Sequence, residues 1–185
     1  MTLHLDDCAR VLPRLANGSV DLVLSDPPWK PKHWNVMVQQ SIITECLRIS
    51  RGAVLMFGGG TPEGNTFWPH FVPSPQRIDN KSFQFWRPCW GWHVPADWRT
   101  VPMWPGDWPV DDAFHYGPHS SRTPVLLAWQ IIKATGARSV LDPFMGTGWV
   151  GMACEMLGIP FIGIEINPQT FAVARERIVW AERVK

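Results

Sequence analysis

Asp26-Pro27-Pro28-Trp29 brings a carboxylate, a carbonyl and an aromatic face together in four consecutive residues. Proline has no N–H and a fixed φ, so the pair stiffens the chain and leaves the Asp26 carboxylate and the Pro27 carbonyl as neighbouring acceptors with no competing amide donor. Two adjacent acceptors match the two hydrogens of an exocyclic amino group, and Trp29 offers a face for the planar ring that bears it. The arrangement describes a nucleobase pocket. The same residues would also serve as a stiff turn with Trp29 in the core.

A second constellation is Leu141-Asp142-Pro143-Phe144-Met145-Gly146-Thr147-Gly148, which follows a predicted strand and opens a predicted helix. Glycines there let backbone approach a ligand at the carboxyl end of an open α/β sheet, although a tight turn alone would use the same residues. The next strand ends in Glu165, where a carboxylate can accept hydrogen bonds from both hydroxyls of a ribose. Together they suggest an adenosine-containing cofactor. The Gly-Lys-Ser/Thr of a phosphate loop is absent, and Gly148 is followed by Trp149 and Val150 before Gly151, which breaks the dinucleotide spacing.

These loops need a sheet to carry them. Residues 19–25 and 53–57 are short apolar runs of the buried parallel kind, with helical periodicity from Val36 to Ile49 between them. Strand, helix, strand implies a right-handed crossover and a parallel sheet. Further on, 124–135 is predicted as helix, 139–141 as strand, 149–157 as helix, 160–164 as strand, and 168–184 as a helix capped by Asn167 with Pro168 at its first position.

At 185 residues the chain has the length of one domain with a real core. Seventeen basic and sixteen acidic residues give +1, which excludes a polybasic or acidic tail. There is no apolar run long enough for a membrane span, and the first residues lack a basic segment followed by an apolar one, so a cytoplasmic location, in a bacterium or a phage-infected cell, is expected. Cys8, Cys46, Cys89 and Cys154 are scattered as reduced thiols would be. Cys89 and His93 have no second ligand pair at suitable spacing, so no metal is assigned. Seven of twelve Trp and eleven of eighteen Pro fall between Pro62 and Pro124, which predicts loops there with one or two short edge strands near Ser82 to Trp86.

Both flanks resemble the Asp-Pro-Pro-Tyr/Trp amino-methyltransferases of DNA, in the group whose catalytic motif precedes the cofactor motif. Leu5-Asp6-Asp7-Cys8 and residues 19–29 look like the family's opening segment. His119 to Leu127 is similar to its helix before the cofactor loop, with Thr123-Pro124 where Lys-Pro is usual. Leu141 to Gly148 and Phe161 to Pro168 match its cofactor and ribose motifs, with Trp149 where Thr often follows the Gly-x-Gly. The resemblance implies one 1–185 domain built on a seven-stranded Rossmann-like α/β sheet that binds S-adenosylmethionine, with a Trp/Pro-rich insert at 61–118 as a short target-recognition region. It implies a catalytic role for Asp26, Pro27, Pro28 and Trp29. Cofactor contacts would come from Asp7, Asp142, Phe144, Gly146, Thr147, Gly148 and Glu165.

The implied reaction is methyl transfer to the exocyclic amine of a flipped DNA base. Family members acting on cytosine often carry Ser where Asp26 stands, which favours N6 of adenine. N4 of cytosine and adenine in RNA are the alternatives within the chemistry, and an inactive nucleic-acid-binding subunit is the alternative outside it. Candidates for phosphate contacts are Lys30, Lys32 and His33, then Arg77, Lys81, Arg87 and Arg99, although scattered surface charge would explain the last four equally. Trp86, Trp90 and Trp92 alternate so that they could face one side of an extended segment, which suits the core or a homodimer interface more than base stacking.

Overall fold

The computed structural model describes residues 1–28, 36–57, 66–78, 81–93 and 125–183. Its chain order is β1 (Thr2–Leu5), α1 (Cys8–Val11), β2 (Leu22–Ser25), α2 (Val36–Ile49), β3 (Val54–Phe57), β4 (Thr66–Ile78), β5 (Lys81–Trp92), α3 (Val125–Thr135), β6 (Val140–Asp142), α4 (Trp149–Leu157), β7 (Phe161–Glu165) and α5 (Pro168–Arg183). The strands form one seven-stranded sheet in the order β1-β7-β6-β2-β3-β5-β4. Every neighbouring pair is parallel except β3/β5 and β5/β4, so β5 runs against the other six. The α/β class and the seven strands agree with the sequence reading.

The wholly apolar stretch of β2 follows from burial on both faces. Leu22 and Leu24 join the cluster under α3, α4 and α5, while Val23 points the other way and packs with Ile42, Ile43, Cys46 and Ile49 of α2. Each such leucine contributes roughly 1.5–3 kcal/mol by leaving water. The chain crosses from β2 through α2 to β3 on one side, and from β6 through α4 to β7 on the other. Because β2 and β6 are neighbours, a crevice opens at their carboxyl ends, where open α/β sheets bind ligands.

Four elements depart from expectation. The edge strand β1 was missed because Thr2-Leu3-His4-Leu5 is only partly buried and shows no apolar run, although it pairs in register with β7. The four-residue α1 was also missed. In place of short strands near Ser82 to Trp86, β4 and β5 form a long antiparallel hairpin. Its prolines are tolerated for positional reasons: Pro73 and Pro75 are two apart on the outermost strand, so their missing N–H groups fall on one side. Pro69 sits in the irregularity between Trp68 and Val72, where Pro88 also lies outside the paired register. The rest of the proposed insert, 61–65, 79–80 and 94–118, lies outside the described residues.

Asn167 caps α5 as predicted, its Oδ1 accepting from Gln169 N at 2.9 Å and Thr170 N at 3.0 Å. Such a cap contributes about 1 kcal/mol. Cys8, Cys46 and Cys154 are buried free thiols, and burial raises the pKa of each, that of Cys8 to about 12.

Candidate active site

Two strand ends meet at the crevice. Ser25 ends β2 and Asp142 ends β6, and both are fully buried. Ser25 Oγ donates to Asp142 Oδ1 at 2.5 Å, and Phe144 N donates to the same oxygen at 3.0 Å. Asp142 Oδ2 is buried with no hydrogen-bond partner among the described residues. Burial pushes the Asp142 carboxyl up to about 7, opposed by the Ser25 and Phe144 hydrogen bonds and reinforced by the charges of Asp26 and Glu165.

Asp26, Pro27 and Pro28 follow β2 directly and stand at this mouth, with Asp26 half-buried, Pro27 buried and Pro28 exposed. Trp29 lies outside the described residues, as do Lys30, Lys32, His33 and Arg99. The side chains of Arg77, Lys81, Arg87, Trp86 and Trp90 are likewise outside them.

The glycine loop after β6 is stitched down along its length. Met145 N donates to Ile164 O at 2.8 Å, and Gly146 N donates to Glu165 Oε2 at 3.0 Å. Gly148 has a φ of +84°, which glycine adopts without strain, and a Cβ added there would meet the Ala174 Cβ at 3.2 Å. Close seating of the loop on α5 therefore needs glycine at this position. Thr147 is gripped by Arg177, whose Nη1 donates to its carbonyl at 2.7 Å and its hydroxyl at 2.9 Å. Trp149, the first residue of α4, is buried edge-to-face against Phe57 at the end of β3, with ring centroids 5.9 Å apart.

Glu165 ends β7, and its other oxygen, Oε1, accepts from Asn167 N at 2.8 Å. A carboxylate has about four lone-pair sites, so two remain for hydroxyl donors. Asp6 N donates to Glu165 O at 3.2 Å, which brings the residues after β1 alongside. Asp7 is there, with Oδ1 engaged as the cap of α1 through Ala9 N at 2.9 Å. The predicted residues Asp26, Pro27, Asp142, Phe144, Gly146, Thr147, Gly148, Glu165 and Asp7 thus all follow or end strands on one edge of the sheet.

Three residues were missed. Ser25 could have been noticed as the one polar residue in a buried strand, since a buried hydroxyl needs a partner. Arg177, 4% exposed, falls with Ala174, Ile178 and Ala181 on the buried stripe of α5, where a charge is out of pattern. Ile166, 65% exposed beside Glu165, is a large apolar side chain left at the mouth.

A family model described as DNA methylase, of the N6/N4 type, matches residues 63–176. The type II methyltransferase M.SmaI of Serratia marcescens is 35% identical over 75 residues, covering 39% of this chain and 25% of that protein. M2.DpnII of Streptococcus pneumoniae is 36% identical over 64 residues, covering 34% and 24%. The matches span about a quarter of the length of these curated relatives. Among solved structures, the cytosine-N4-specific PvuII DNA methyltransferase superposes with a TM-score of 0.65 at 15% identity, covering 98% of this chain and 90% of that one. M1.HpyAVI in complex with SAM superposes with a TM-score of 0.61 at 21% identity, covering 95% and 98%. The structural likenesses establish the shared fold; the family match takes in more than half of the chain, including the glycine loop and Glu165, and by it the chain belongs to the N6/N4 DNA methylase family.

Proposed function

We propose that this chain transfers a methyl group from S-adenosylmethionine to the exocyclic amine of a base in DNA, with N6 of adenine as the target. The observation that carries the reading is the adjacency, across the β2/β6 crevice, of the Asp26-Pro27-Pro28 acceptors and the glycine loop. Residues suited to the cofactor line the same edge. Glu165 would hold the ribose hydroxyls, Ile166 offers apolar surface for the adenine, and the backbone from Phe144 to Gly148 would pass close to the methionine part. The unpartnered Asp142 Oδ2 suits a cationic group, and the cofactor carries an ammonium.

When bound, S-adenosylmethionine supplies a methyl group activated by its positive sulfur. The protein's task is the amine, a poor nucleophile because its lone pair is delocalised into the ring. Asp26 and the Pro27 carbonyl hold both amino hydrogens, turn the lone pair out of conjugation, and stabilise positive charge as it grows on nitrogen. The target base leaves the duplex, and stacking on Trp29 offsets roughly 1–3 kcal/mol of the unstacking. The working unit is proposed to be a homodimer, and sedimentation showing only a species near 21.0 kDa at working concentration would reject that.

The test is methyl transfer from labelled cofactor to duplex DNA and to RNA, followed by mass spectrometry of the nucleosides. N6-methyladenine in DNA is expected. N4-methylcytosine would overturn the choice of base, label only in RNA would overturn the choice of nucleic acid, and no label in either would overturn the enzymatic reading.

A further inference from the structure

Ser25 has no part in the reaction as described, yet it immediately precedes Asp26 and bonds Asp142, which belongs to the cofactor motif. The β2/β6 ladder pairs Leu22 with Val140 and Val23 with Leu141, and the Ser25–Asp142 bond continues the link toward the mouth. On one side of it the next residue is Asp26. On the other, Asp142 Oδ1 also accepts the Phe144 amide that opens the glycine loop. One buried oxygen therefore fixes both the entry to the amine-holding acceptors and the entry to the cofactor loop. Methyl transfer needs nitrogen, carbon and sulfur in line, and a displacement of about 1 Å can lower such a rate by about a hundredfold.

We propose that Ser25 is a positioning residue for methyl transfer, its hydroxyl holding the Asp26-Pro27 acceptors against the cofactor loop through Asp142 Oδ1. The inference rests on the functional reading above. Ser25 touches neither base nor cofactor, and it acts through the relative placement of the two loops. An alanine there keeps the strand apolar and the Phe144 bond to Asp142 intact, so the cofactor loop remains formed while the catalytic turn loses its tether. A threonine keeps the hydroxyl.

The experiment compares the parent protein, Ser25→Ala and Ser25→Thr. In single-turnover transfer to DNA, Ser25→Ala should be slower by about tenfold or more while cofactor affinity by calorimetry stays within about threefold, and Ser25→Thr should recover most of the rate. A Ser25→Ala rate within about threefold of the parent, or equal losses of rate and cofactor affinity, would overturn the positioning role. A second readout is independent of activity. In a ¹³C titration the Asp142 carboxyl of Ser25→Ala should titrate at higher pH than in the parent, because a donor to its charged form is gone. An unchanged midpoint would show that the tether does not exist. A parent that methylates no nucleic acid overturns the functional reading and the role built on it, whereas a working parent with an unaffected Ser25→Ala variant overturns the role alone.

Discussion

Arg177, on the last helix, reaches across to Thr147 in the glycine loop and donates one nitrogen to both the carbonyl and the hydroxyl of that residue. A buried guanidinium used this way holds a loop that glycine alone would leave loose, and Thr147 itself carries the hydroxyl that completes the grip. Replacing Arg177 with Met keeps much of the apolar stem and removes the donors. Since hydrogen bonds from charged groups contribute about 1.5–3 kcal/mol, Arg177→Met should lower stability by that order and weaken cofactor binding. Urea unfolding and calorimetry check it. Parent-like cofactor affinity would show that the grip on Thr147 does not shape the site.

Glu165 carries two duties, because its oxygens accept from Gly146 N and Asn167 N besides facing the proposed ribose. Glu165→Ala should weaken the cofactor by about 1–3 kcal/mol, through lost ribose acceptors and a loosened loop. Glu165→Gln is not a mild change here, for whichever oxygen becomes NH2 then faces a backbone N–H donor. Its affinity should fall nearly as far as that of the alanine variant. Calorimetry on both variants decides the point, and a glutamine variant that binds like the parent would show that the two amide contacts are unimportant.

What could be read from the chain was whatever is written locally. The apolar runs of β3 and β7 and the helical spacing of α2 and α4 lie within a residue of their predicted limits, β2 begins three residues later than predicted, and both motifs are contiguous in sequence. Edge elements were harder, since β1 is half-exposed and pairs on one side only. Proline misled in the hairpin because its cost depends on where a strand lies in the sheet, which composition does not state. Contacts across the site were hidden for the same reason. Ser25 and Asp142 are 117 residues apart, and only the placement of β2 beside β6 joins them.

The buried Asp142 carboxyl should make stability depend on pH. Its folded value of about 7 lies above the ordinary 3.8, raised first by burial and then by the charges of Asp26 and Glu165. A carboxyl raised on folding favours the folded state fully below its unfolded pKa, and that contribution drains away as pH rises from about 4 through 7. Asparagine does not titrate. The stability of the parent minus that of Asp142→Asn should therefore fall between pH 5 and 7, with a slope approaching about 1.4 kcal/mol per pH unit, and flatten above about pH 8. Asp6 and Asp21, whose pKa values are lowered, titrate in both proteins and cancel in the difference. Urea unfolding at four pH values measures it, and a difference independent of pH would mean that Asp142 is already charged in the fold.

Asp26 should matter far more to transfer than to cofactor binding. It follows β2 at the crevice, and its carboxylate is proposed to act on charge that develops on the amine nitrogen only as the methyl moves. Groups of that kind lower the barrier by about 2.7–4 kcal/mol, so Asp26→Ala should lose about a hundredfold or more in single-turnover rate. Cofactor affinity should barely change, because the glycine loop and Glu165 are built from other elements. Trp29→Ala should instead weaken capture of the extruded base by about 1–3 kcal/mol, and Trp29→Phe should keep most of it because a ring face survives. The target supplies its own control. DNA in which adenine is replaced by a purine lacking the exocyclic amine should bind and accept no methyl, since the acceptors of Asp26 and Pro27 then have no hydrogens to hold. Near-parent methylation by Asp26→Ala would remove Asp26 from the active site, even if the cofactor still bound at the glycine loop.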